Sequence, residues 1–173
     1  MHSYHSTKNN PRFHPRKLWV SGVIIAMLTV FCGVASAGDL YIKDGDSFVL
    51  NGEEIRLWGV DAMELSQTCQ KSGRDYPCGQ FAKSYLLEFI GGHELRCEKM
   101  PAAKKETRTV ARCFVGDLDI GREMVRAGWA IDYRYFSKGF YAEAETYARE
   151  QKRGVWEGRF QTPRNWRKSN PYR

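Results

Sequence analysis

Four side chains within twenty residues of one another have the types needed to break a phosphate ester. Arg56, Asp61 and Glu64 lie in Ile55-Arg56-Leu57-Trp58-Gly59-Val60-Asp61-Ala62-Met63-Glu64, and Asp46 lies upstream in Asp44-Gly45-Asp46-Ser47. Carboxylates gathered at a strand end can hold a hard, oxygen-seeking cation. A guanidinium beside them can clamp a phosphate through two parallel hydrogen bonds. The pattern predicts metal-assisted phosphodiester cleavage. Each residue also has a purely structural use. Asp46 can cap a turn, Asp61 and Glu64 can be solvated loop acids, and Arg56 can cover the core with its aliphatic stem.

The elements that must position these residues are short strands. Leu40 to Lys43 runs into the Asp44-Gly45 turn, and Ser47 to Leu50 follows. Asn51-Gly52 is a strong two-residue hairpin signal, because both residues tolerate positive φ. In the next strand Ile55 and Leu57 share one face and leave Arg56 and Trp58 on the other. Residues 65–77 are polar and rich in turn formers, which predicts a surface loop. Gly79 to Ile90 has helical spacing, with Phe81, Ala82, Tyr85, Leu86 and Phe89 on one stripe. Strands are expected at about 93–99 and 108–115, joined by a lysine-rich loop. Asp119 is the expected N-cap of a short helix ending before Gly128. A short strand at 129–131 and a last helix from Phe140 to Arg153 complete the pattern. Strands first and helices late predict an α+β fold, mainly β: a small barrel of five strands packed with about three helices.

The chain has 173 residues, with 27 Lys and Arg against 20 Asp and Glu. Its first 37 residues hold four cations, no acid, an apolar run from Leu18 to about Val34, and Ala35-Ser36-Ala37. That composition predicts an exported protein cleaved after Ala37, periplasmic or secreted. The alternative is an uncleaved membrane anchor with the domain outside the cytoplasm. Residues 38–160 are then the folded domain and 161–173 a basic, solvated C-terminal tail. Without the leader the cations fall to 23, so the remaining charge permits a polyanionic substrate without demanding one. His93 is then the only histidine left, which argues against histidine-centred catalysis and against a zinc site. Cys69, Cys78, Cys97 and Cys113 allow three disulfide pairings. Cys69 with Cys78 would close a polar loop, and Cys97 with Cys113 would join two adjacent strands, so this pairing is favoured. The alternative for Cys97 and Cys113 is service as small buried hydrophobes.

The order of motifs resembles the micrococcal-nuclease, or thermonuclease-like, family over about residues 40–160. The resemblance rests on Asp44-Gly45-Asp46-Ser47, on Arg56 followed by Asp61 and Glu64, on Arg108-Thr109-Val110-Ala111, and on Met124-Val125-Arg126-Ala127-Gly128-Trp129-Ala130. It implies an OB-fold barrel and a calcium-dependent nuclease, expected to be monomeric, acting on DNA and perhaps RNA with little sequence specificity. It also implies that Asp46, Asp61 and the Ala62 carbonyl hold Ca2+, that Arg56 and Arg108 are catalytic, and that Glu64 is the general base. One departure stands out. The family usually has Asp-x-Tyr-Gly before the second arginine, where this chain has Lys104-Lys105-Glu106-Thr107. A glutamate there would repel a phosphate, while Lys104 and Lys105 could add nucleic-acid contacts. Tyr133 and Tyr135 are the aromatic residues best placed to stack on bases. The rival reading is a catalytically weak nucleic-acid-binding module.

Overall fold

The computed structural model describes residues 39–171. The expected leader, its cleavage after Ala37 and the alternative membrane anchor lie outside the described residues. Ten strands and five α-helices follow one another as β1 (Leu40–Ile42), β2 (Ser47–Leu50), β3 (Glu53–Leu57), β4 (Val60–Ala62), β5 (Cys69–Lys71), β6 (Arg74–Tyr76), α1 (Cys78–Ile90), β7 (Leu95–Lys99), β8 (Thr109–Val115), β9 (Leu118–Asp119), α2 (Ile120–Arg126), β10 (Ala130–Asp132), α3 (Arg134–Ser137), α4 (Ala142–Glu150) and α5 (Pro163–Ser169). A 3-10 turn at Gly154–Glu157 lies between α4 and α5.

The main sheet runs β1-β2-β3-β8-β7, with β9 added to β8. Asn51 and Gly52 take φ of 52° and 81° between β2 and β3, as the turn signal requires. β8 joins β3 in parallel and β7 antiparallel. β4 pairs separately with β10. The five-strand path matches the expected strand count, but the expected barrel does not close by hydrogen bonding: among the described residues β1 and β7 are unpaired edges. Helix α1 packs against β1. Two further expectations need correction. Among the described residues helix and strand are comparable in extent, so the fold is mixed rather than mainly β, with five α-helices rather than about three. The additional ones are short, which hides their periodicity.

The core joins sheet to helices through Phe48, Leu57, Met63, Leu86, Ile90, Ile120, Met124 and Tyr141, all fully buried. The buried stripe of α1 is Cys78, Gly79, Ala82, Leu86 and Ile90. Phe81, expected on that stripe, is exposed and meets Trp129 edge-on. Asp119 caps α2 by accepting from the Arg122 amide at 3.0 Å. It also accepts from the Arg112 guanidinium and the Tyr141 hydroxyl. Burial and the nearby Asp119 charge push the Tyr141 hydroxyl well above its ordinary pKa.

Both favoured disulfides are present. Cys69–Cys78 ties the start of β5 to the start of α1, and Cys97–Cys113 joins residues directly opposite on β7 and β8. Residues 65–77, expected as a loop, contain the β5–β6 hairpin. Its strands are three residues long and only the paired Cys69 and Tyr76 turn toward the core, so no alternation marks them in the sequence. Gln70 of this hairpin exchanges two backbone hydrogen bonds with Arg159, each 2.8 Å, and so holds the chain that leads into α5.

Candidate active site

The turn between β1 and β2 places Asp46 under a cavity of about 390 Å³. Asp44, Asp46, Arg56, Glu64, Glu106, Arg108, Tyr133, Phe136 and Arg167 contribute charge or aromatic surface to its lining. Asp46 is 5% exposed and its oxygens are held on several sides. The Ser47 hydroxyl donates to Oδ1 at 3.0 Å, and the Ala62 amide donates to Oδ2 at 3.1 Å. That second bond joins the main sheet to β4.

Ser47 and Arg56 are directly opposite in the β2–β3 ladder, so their side chains share a face. Arg56 thereby reaches Asp46, with Nη2 3.3 Å from Oδ2, and Asp61, 3.6 Å from Oδ1. Arg108, just before β8, donates to the Ser47 hydroxyl at 3.2 Å. The parallel β3–β8 pairing therefore brings both expected catalytic arginines to one end of the sheet.

Asp61 is 1% exposed on β4. Burial pushes its carboxyl above the ordinary range, and the opposing pull comes first from Arg167. Asp44 rises to about 6, first through burial and then through the neighbouring Asp46 charge. Excess negative charge in this corner is the physical cause of the second effect.

Glu64 lies at the cavity mouth with its side chain 31% exposed. Its backbone is fixed twice. The Gln67 side chain accepts from its amide at 3.1 Å, and α1 closes against its carbonyl. A Cβ on Gly79 would stand 1.7 Å from that carbonyl oxygen, so only glycine fits there.

Glu106 grips Arg108 through two bonds of 2.8 Å each, to Nε and Nη2. This ion pair holds the Glu106 carboxyl at about 2 and raises the Arg108 guanidinium further. The expected repulsion of phosphate by Glu106 thus takes a definite form, a carboxylate occupying the donors that a phosphate would need.

Arg167 of α5 is the residue that sequence reasoning missed. It was expected in a solvated tail, yet it reaches Asp61 through Nη1–Oδ1 at 2.9 Å and Nη2–Oδ2 at 3.1 Å, and it also bonds Glu64. Its charge is reinforced: burial alone would lower its pKa, but the Asp61 and Glu64 bonds outweigh burial. The available signal was Thr162-Pro163, since Thr162 caps α5 and Pro163 occupies its first turn. Gln67 was also missed. It is fully buried and donates to the Gln161 carbonyl at 2.8 Å, linking the Glu64 loop to the approach to α5.

The other expected contacts separate. Tyr133 lines the cavity with Phe136, whereas Tyr135 is 71% exposed and outside the lining. Lys104 and Lys105 are exposed and also outside it.

The donor chemistry fits a hard divalent cation. With Asp61 included, five carboxylates (Asp44, Asp46, Asp61, Glu64, Glu106) meet three guanidiniums (Arg56, Arg108, Arg167), leaving two negative charges uncompensated. All the available ligand atoms are oxygen, as such ions prefer. Among the described residues no three acids or histidines are arranged as a ready metal shell. Both Asp61 oxygens are engaged by Arg167.

A family profile described as staphylococcal nuclease homologue matches residues 54–158. That match contains Arg56, Asp61, Glu64 and Arg108, and leaves Asp46 and Arg167 on either side. The chain is also 32% identical over 142 residues to the succinoglycan biosynthesis protein ExoI of Rhizobium meliloti (strain 1021), covering 78% of this chain and 74% of that protein. With a match across most of the folded domain and with Arg56 and Arg108 lining one cavity, the chain belongs to the staphylococcal nuclease homologue family.

Proposed function

We propose that this chain is an exported nuclease that hydrolyses phosphodiester bonds of DNA with calcium as its cation, with RNA as the alternative substrate to be assayed. The observation that carries this reading is the convergence of Arg56 and Arg108, from paired strands, on one cavity over Asp46. Asp46, Asp61 and the Ala62 carbonyl would hold the cation, which would supply polarisation of a phosphoryl oxygen. Arg56, held in place by Asp46, donates to the phosphate as negative charge builds. Arg108 does the same after exchanging Glu106 for phosphate oxygens. Glu64 at the mouth accepts a proton from the attacking water. Tyr133 and Phe136 offer apolar faces to a base beside the scissile bond. The fold supports an OB-type nucleic-acid surface, with β7 and β1 left as open edges. Export is supported by the two disulfides, which suit an oxidising compartment, and by the composition of the first 37 residues.

Purified protein should degrade DNA with Ca2+ and stop when the ion is chelated. A panel of Mg2+, Mn2+ and Ca2+ on DNA and RNA fixes the preferences, and no cleavage with any of them would sink the proposal. A polysaccharide belongs in the same assay as a control, because the relative ExoI is named for succinoglycan biosynthesis.

A second reading is a nucleic-acid-binding module without turnover. It is favoured by the closed Glu106–Arg108 pair, and it predicts salt-sensitive binding with no metal-dependent cleavage.

A further inference from the structure

We propose that Arg167 is the internal cation of this site, and that a divalent ion loads by displacing it from Asp61 and Glu64 and releasing helix α5. The identity of the ion rests on the nuclease reading above; the competition itself rests on geometry.

Arg167 engages Asp61 edge to edge, taking one bond to each carboxylate oxygen. Its Nη1 also bonds Glu64. Asp61 is the carboxylate that would share an ion with Asp46, and the Arg56 guanidinium also stands beside it, 3.6 Å from Oδ1. An ion bound to Asp61 would therefore sit within a few ångströms of the Arg167 charge, and the two like charges repel. Arg56 stands off Asp61 at 3.6 Å, whereas Arg167 occupies both of its oxygens, so Arg167 is the group an incoming ion displaces.

The helix that delivers Arg167 is built to let go. Of its seven residues only Pro163 is buried, and Trp166 is half-buried. Arg167 supplies its ion pairs to the site. An element with so few apolar contacts lies at the low end of local stability. The chain before it is fixed much more firmly, by Gln67 at Gln161 and by Gln70 at Arg159. Release would therefore be confined to α5, with a hinge near Thr162.

Loss of Arg167 removes a competitor. A divalent ion then binds without first breaking the bidentate pair, and its affinity rises.

The test measures ion binding rather than turnover. Ca2+ affinity is determined calorimetrically, with Tb3+ luminescence as a second probe, for the wild-type chain, Arg167→Gln and Arg167→Lys. Amide exchange is followed over residues 163–170 with and without the ion. Arg167→Gln should bind Ca2+ about tenfold more tightly, the scale for losing one good carboxylate pair. Arg167→Lys, which keeps the charge but loses the fork, should fall between. Exchange in α5 of the wild type should quicken when Ca2+ is added. Equal or weaker affinity in Arg167→Gln, α5 amides that slow or do not change with the ion, or no ion binding in any variant would overturn the inference. Cleavage assays on the same samples separate the two claims. Wild-type cleavage with unchanged affinity in Arg167→Gln rejects only the competition, whereas tighter binding without cleavage rejects only the nuclease.

Discussion

Glu106 and Arg108 form a closed fork, with both carboxylate oxygens 2.8 Å from separate guanidinium nitrogens. The second expected catalytic arginine is thus already holding an anion of the chain itself. A phosphate must replace that anion before Arg108 can act on it.

Glu106→Gln should therefore tighten binding of a short oligonucleotide under chelating conditions. Removing one charge-assisted competitor should lower Kd by about threefold to tenfold, on the scale of hydrogen bonds to charged groups. Fluorescence anisotropy reads this directly. A weaker complex would show that Glu106 positions Arg108 rather than masking it.

The same pair sets an acid limit. The Glu106 carboxyl is depressed to about 2, first by its bonds to Arg108. A depressed carboxylate contributes stability that is full above its unfolded pKa, near 4.5, and is lost as pH falls toward 2. Urea unfolding of wild type and Glu106→Gln should differ most at neutral pH and converge between pH 4.5 and about 2. A gap that is constant across that window would count against the pair.

Arg56→Ala and Arg108→Ala should each lower kcat by about 10²-fold or more, the usual loss for one preorganised transition-state donor. Steady-state kinetics with a defined oligonucleotide measure it. Arg56→Ala carries an added cost, because it leaves Asp46 and Asp61 without a shared counter-charge. Its melting temperature should fall further than that of Arg108→Ala.

Gly79→Ala tests how Glu64 is placed. The new methyl would collide with the Glu64 carbonyl at 1.7 Å, and backbone must shift to admit it. A destabilisation of about 1–3 kcal/mol is expected, typical of overpacking. Activity should drop beyond what the fraction unfolded explains. Thermal melts and kcat on the same preparation separate the two effects.

Much of this arrangement was legible because it is local. Asn51-Gly52 fixed the β2–β3 register through backbone preference alone, and Ile55 with Leu57 declared which way Arg56 faces. Asp119 was readable as a cap because the amide it accepts from, on Arg122, lies only three residues on. What stayed hidden is long-range or polar. Arg167 meets Asp61 across 106 positions, and Gln67 meets Gln161 across 94. No periodicity encodes such contacts, and a basic tail has the composition of solvated chain. The β5–β6 hairpin escaped for a different reason: its strands are three residues each and only Cys69 and Tyr76 face the core, too few to make an alternation.

The bond between Cys69 and Cys78 reaches further than the hairpin it closes. Cys69 precedes Gln70, whose backbone clasps Arg159 a few residues ahead of α5. Reduction of that bond would free the strand that carries the clasp. A copy held among cytosolic thiols would then carry a slack hairpin and a less firmly seated Arg167, although no cysteine is among the described residues that line the cavity.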